Sequence, residues 1–215
     1  MNPRTRKRCL LKPLKLEALP PVSDPVPQVV DAFLTDANAR IDAFFEKHRK
    51  AKDLGFFPSD YPLIYGVLRQ LQKLEGDRRR FCEWGSGFGV IAGLASMLGF
   101  ESCGIEIDRR LVTESRALLT DHHLDVEILE GNFMPDSYQP PPELEDLETI
   151  HAGVEAGAND EVDVDIDDFD LIFAFPWPGD EGMFCDLFKR FAANGALLMT
   201  YSALEGIRIQ RLSAG

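Results

Sequence analysis

The chain has 215 residues, a formal net charge of −13 and 45% apolar residues. That length suits one α/β domain with extensions, and the apolar share is enough for a sizeable core. The charge argues against a dedicated nucleic-acid binder, because such binding rests on neutralising phosphates. It is also unevenly placed: residues 1–15 carry Arg4, Arg6, Lys7, Arg8, Lys12 and Lys15 and no acid, whereas residues 117–188 contain no Lys or Arg. Lys12, Lys15 and Glu17 interrupt the first leucines, so no signal-peptide core forms. No run approaches the ~20 apolar residues of a membrane span. Cys9, Cys82, Cys103 and Cys185 form no C-x-x-C, so neither a disulfide framework nor a metal site is expected. A soluble cytoplasmic protein with no membrane partner is the expectation.

Residues 1–24 read as a flexible arm, basic and then proline-rich. Residues 25–78 read as a helical extension. Val30, Phe33, Leu34, Ala37, Ile41 and Phe44 recur at helical spacing, and a second helix follows Ser59-Asp60. From residue 79 to 215 strands and helices alternate, which implies a mostly parallel sheet covered on both faces. Strands are expected at Arg80–Trp84, Ser102–Ile107, Val126–Leu129, Phe169–Phe175 and Ala196–Ser202. Between about 136 and 168 lies a segment with Pro140-Pro141-Pro142, many acids and few large apolar residues. Such composition favours a mobile insertion. Ile207–Leu212 alternates apolar and polar and supplies one further strand.

The most informative segment is Glu83-Trp84-Gly85-Ser86-Gly87-Phe88-Gly89. An apolar strand leads into it and a small-residue helix pattern leads out. A strand that turns through glycines into a helix N-terminus exposes backbone N–H groups and lets a ligand approach closely. The dinucleotide spacing G-x-G-x-x-G is not met, since Val90 stands three after Gly87. Glu106 ends the next strand, where a carboxylate can accept both hydroxyls of a ribose. Asp108 reads as a helix cap. Asn132-Phe133 follows the third strand, and Gly131-Asn132 is also ordinary turn chemistry.

These residues in this order resemble the motifs of class I S-adenosylmethionine (SAM)-dependent methyltransferases, over about Phe56 to Ser202. The resemblance implies a Rossmann-like sheet with a helical N-terminal extension. A full family sheet has seven strands ending in an antiparallel hairpin, so this chain is expected to have shortened C-terminal strands. It implies SAM as cofactor, held by Glu83, Trp84, Gly85, Ser86, Gly87, Gly89, Glu106, Ile107, Asn132 and Phe133. Glu83 would orient the amino-acid end, Glu106 the ribose, and Asn132 and Phe133 the adenine. Phe175-Pro176-Trp177-Pro178 stands where the methyl acceptor approaches but lacks the polar residue many amino-methylating members carry. Phe175, Pro176 and Trp177 are therefore substrate candidates, with Tyr61 as a candidate lid residue. No catalytic residue is assigned. The acceptor is left open between a small molecule and a basic protein. Two other readings stand beside this one: a SAM-binding module without turnover, and a nucleotide-cofactor oxidoreductase.

Overall fold

The computed structural model describes residues 9–15, 25–48, 56–76, 80–142, 162 and 164–214. It is a mixed α/β fold around one seven-stranded sheet. The strands are β1 (Cys9–Leu14), β2 (Arg80–Trp84), β3 (Glu101–Glu106), β4 (Val126–Glu130), β5 (Leu171–Ala174), β6 (Leu197–Ser202) and β7 (Gly206–Ala214). Their order across the sheet is β1-β7-β6-β5-β2-β3-β4. The block from β6 to β4 is parallel throughout. β7 runs antiparallel to both β6 and β1.

Among the described residues five α-helices accompany the sheet: α1 (Gln28–Lys47), α2 (Tyr61–Glu75), α3 (Val90–Met97), α4 (Arg109–Asp121) and α5 (Glu181–Phe191). Their starts follow from local chemistry. The Asp60 carboxylate accepts from the Leu63 N–H at 3.1 Å, which caps α2, and Pro62 sits just inside it. Asp108 accepts from the Arg110 N–H at 2.8 Å and caps α4.

Side chains alternate across the strands, so each strand feeds two cores. On one face Phe81, Phe173 and Met199 meet α1 to α4 through Phe33, Leu68, Leu94 and Leu118. On the other, Cys82, Trp84, Ile172 and Leu198 meet α5 through Phe184, Leu187 and Phe188.

Two expectations change. Cys9–Leu14, read as part of a flexible arm, is a strand that pairs with β7 over six positions. The seventh strand of the sheet thus comes from the N-terminal end of the chain. Pro13 fits there because β1 is an edge strand, where a missing N–H costs no ladder bond. The ends of the acidic insertion also pack: Tyr138 and Ile166 are buried in the second core. The remaining arm residues, 1–8 and 16–24, and the middle of the insertion, 143–161 and 163, lie outside the described residues. Among the described residues no helix is long and apolar enough to cross a membrane.

Candidate functional site

The topology fixes where a ligand can enter. The chain moves outward from β2 to β3 and β4, then returns to place β5 on the other side of β2. Connections leaving β2 and β5 therefore diverge. A crevice opens outside their carboxyl ends, the usual ligand position in open α/β sheets.

One wall of the crevice is the loop after β2. Gly85, Gly87 and Gly89 all have positive φ, at 69°, 54° and 66°. Gly85 is exposed, and a Cβ built on it would meet no atom within 4 Å, so the loop presents bare backbone to open space. Gly87 is covered instead. Its added Cβ would lie 2.4 Å from the Phe56 ring. Phe56 in turn packs on Phe45 and Phe88. The short segment 56–60 is thereby laid against the glycine loop.

Glu106 stands at the tip of β3 and is only 7% exposed. Its Oε2 accepts from the Gly87 N–H at 2.7 Å, and its Oε1 from the Asp108 N–H at 2.8 Å. Burial raises its pKa, opposed by those two bonds. Each carboxylate oxygen has a second lone pair beyond the one used. Ile107, next along, is half-buried.

Glu83 stands one residue before the end of β2. It is buried, and its Oε2 accepts from the Ala92 N–H at 2.9 Å. It braces the first turn of α3 under the loop. Burial, with the nearby Glu106 charge adding to it, pushes its carboxyl well above the ordinary range. Tyr61 is buried as well, and burial together with the Glu83 charge raises its phenol. As the first residue of α2 it points into the first core. The segment before it, Phe56-Phe57-Pro58, is what meets the crevice.

Beyond β4, Asn132 Oδ1 accepts from the Met134 N–H at 2.9 Å, closing a local turn. Phe133 stacks on Trp84 with ring centres 5.1 Å apart and planes 8° apart, and it touches Phe184 at 5.4 Å. It is a packed wall with both neighbours in place. Trp84 and Ser86 are buried, and the Trp84 Nε1 and the Ser86 Oγ have no hydrogen-bond partner among the described residues. A cavity of about 500 Å³ borders Asn132 and Phe133 but reaches away from the glycine loop toward Ile166 and Phe191. It belongs to the cover of the second core.

The loop after β5 forms the opposite wall. Phe175 is half-buried and meets Tyr201 edge-on at 5.0 Å, and Pro176 is buried. Trp177 is 37% exposed and meets the Phe57 ring edge-on at 5.1 Å, planes 85° apart. This contact joins the segment lying on the glycine loop to the loop leaving β5, so the two walls touch through exposed aromatics. Asp180 closes the turn: its N–H donates to the Trp177 carbonyl at 2.9 Å. It precedes α5 without capping it. The residue is 1% exposed, and its Oδ2 has no partner among the described residues. Burial, and then the adjacent Glu181, raise its pKa.

Two features escape a reading of the sequence: Phe57 as the partner of Trp177, and an Asp180 Oδ2 without a partner among the described residues. The first carried a signal, since aromatics open both the segment before α2 and the loop after β5. The second has none, because absence of a partner is a property of the whole fold.

No protein-family model matches this chain, and no curated protein matches it. Solved structures similar to it include an RNA methyltransferase from Salinibacter ruber in complex with S-adenosyl-L-homocysteine. It is 18% identical, with 72% of this chain and 92% of that one covered at a TM-score of 0.47. A methyltransferase from Geobacter sulfurreducens is 18% identical, with 91% and 94% covered at 0.49. An O-methyltransferase from Bacillus cereus, also with S-adenosyl-L-homocysteine, is 15% identical, with 86% and 70% covered at 0.49. At such identities and scores the functional assignment falls to the residues of the site.

Proposed function

We propose that this chain is a SAM-dependent methyltransferase, with SAM held in the crevice between β2 and β5. The observation that carries this reading is the glycine loop and Glu106 together at the topological switch point. Three left-handed glycines leave β2, and a buried carboxylate from the neighbouring strand tip braces the middle one.

The residues present fit that cofactor. The bare backbone at Gly85 suits an amino-acid moiety that must approach the main chain. The remaining lone pairs of Glu106 suit two ribose hydroxyls. Ile107 supplies an apolar side chain beside the adenine, and the second lone pair of Asn132 Oδ1 an acceptor for its amine. Trp84 and Phe133 wall that end of the pocket. Glu83 acts indirectly, by fixing the start of α3 and hence the loop. SAM, when bound, supplies an electrophilic methyl group on a sulfonium. Methyl transfer is an in-line displacement, so the chain's part is to align the acceptor and exclude water. Phe57, Phe175 and Trp177 are suited to both tasks. The acceptor therefore enters from the β5 side.

Calorimetric titration with S-adenosylhomocysteine tests the assignment. The folded protein is expected to bind it. Glu106→Ala removes two hydrogen bonds to a charged group, worth ~1.5–3 kcal/mol each, so affinity should fall well over tenfold. A folded protein that ignores S-adenosylhomocysteine, or one that binds NADH in its place, rejects the reading. Equal binding by Glu106→Ala rejects the role given to Glu106.

A further inference from the structure

Asp180 is an anomaly that the cofactor does not absorb. A buried carboxylate without a partner is costly, and folded proteins rarely keep one without a use. Its Oδ2 is buried and unpartnered among the described residues, although the helix N-terminus beside it was available to cap.

Its direction follows from helix geometry. Asp180 has helical dihedrals (φ −84°, ψ −9°), so it lies on the same face as Phe184, four residues on. Phe184 packs against Trp84 and Phe133, the side chains at the carboxyl ends of β2 and β4. Asp180 sits one turn before Phe184, in the tight turn by which the loop after β5 enters α5, its N–H bound to the Trp177 carbonyl at 2.9 Å. In the same turn Trp177, with Phe57 edge-on against it, presents exposed ring surface. The charge of the surroundings is one-sided. No Lys or Arg occurs from residue 117 to 188, a span that includes both the loop after β4 and the loop after β5. An anionic acceptor would find no counter-charge on these loops.

A carboxylate in one turn with exposed aromatic rings offers the pairing that recognises organic cations. The rings attract a cation through their quadrupole, and the carboxylate accepts its N–H. We propose that the acceptor site takes an amine with an apolar or aromatic body, the nitrogen paired with Asp180 and the body lying against Phe57 and Trp177. This inference rests on the methyltransferase reading for the name acceptor, but the amine site stands on its own geometry.

The test uses phenethylamine as probe, with 2-phenylethanol as its neutral match and phenylacetate as its anionic one. The chain has two tryptophans. The indole N–H signal of Trp177, assigned with Trp177→Phe, reports binding by NMR, with and without saturating S-adenosylhomocysteine. Phenethylamine should bind at least about tenfold tighter than 2-phenylethanol, and phenylacetate weakest. In Asp180→Asn, of nearly equal shape, the amine preference should shrink to about twofold while S-adenosylhomocysteine affinity holds. Phe57→Ala, which keeps the Trp177 reporter, should weaken the amine and the alcohol alike. No amine binding, no preference in the wild type, or a preference that survives Asp180→Asn overturns the proposal. So does a tenfold loss of S-adenosylhomocysteine affinity in Asp180→Asn, which would give the carboxylate to the cofactor's ammonium. If S-adenosylhomocysteine fails to bind at all, the methyltransferase reading falls, and the amine comparison on the unliganded protein still decides this site.

Discussion

The two walls of the crevice handle buried charge in opposite ways. On the glycine-loop wall, Glu83 and Glu106 are both buried, and both accept backbone N–H bonds. On the β5 wall, Asp180 is equally buried and its Oδ2 accepts nothing among the described residues. The aromatics differ in the same sense. Phe56 and Phe88 are packed into the core around the loop, while Phe57 and Trp177 stay exposed. On the first wall both buried carboxylates are braced by backbone N–H groups, while the Trp84 Nε1 and Ser86 Oγ beside them lack partners among the described residues. The second holds groups whose interactions are unfinished, as expected where binding a partner matters more than stability. Substitutions should therefore destabilise on one side and be neutral or stabilising on the other.

The largest expected effect lies in the glycine loop. Gly87→Ala puts a Cβ at φ 54° and within 2.4 Å of a ring held by Phe45 and Phe88. A left-handed residue costs roughly 1–2 kcal/mol, and overpacking roughly 1–3 more. Chemical denaturation should show a loss of about 2–5 kcal/mol. Phe56→Ala in the same chain should restore the overpacking share of that loss. An unchanged midpoint for Gly87→Ala would show that the loop is looser than its wall implies.

Asp180 should behave in the reverse manner. Its carboxyl is raised by burial above the ordinary aspartate value of 3.8, so the folded state holds the proton more tightly than the unfolded one. Its share of stability is full below that value and is lost as pH rises through the folded pKa. Asp180→Asn does not titrate. At neutral pH it should be more stable than the wild type, by about 1 kcal/mol on the scale of an unsatisfied buried group. The advantage should vanish on acidification, in denaturation curves compared pH by pH. A less stable variant at neutral pH would mean that the carboxylate has found a partner in solution.

Much of this contrast was legible in the chain, and the remainder was hidden for identifiable reasons. The glycine loop and Glu106 show because their meaning is local: a turn needs its glycines, and an acid ends the next strand. The capping roles of Asp60 and Asp108 show for the same reason. β1 did not show. Cys-Leu-Leu-Lys-Pro-Leu contains a proline, sits among basic residues and finds its partner at the far end of the chain, in β7. Only the unfilled edge of β7 gives it a purpose. Tyr61 reads as a lid candidate from its place in the segment before α2, yet as the first residue of α2 it turns into the core, and Phe57 of the same segment is the exposed one. That one Glu83 oxygen braces Ala92 did not show either, because the bond depends on how α3 packs over the end of β2.

The smallest stability effect belongs to Trp177. It is more than one-third exposed, and its edge-on contact with Phe57 is its aromatic pairing. Such pairs are worth about 0.5–1.5 kcal/mol, the lower end applying where water reaches both rings. Trp177→Ala should therefore cost no more than about 1 kcal/mol in denaturation and leave S-adenosylhomocysteine affinity within about twofold. Its effect should fall on acceptor-side ligands alone. Phe57→Ala should reproduce it, and the double variant should cost less than the two singles summed, because each single already breaks the shared contact. A loss of several kcal/mol would place Trp177 with the braced wall, and the division between a braced and an unbraced side of the crevice would then fail.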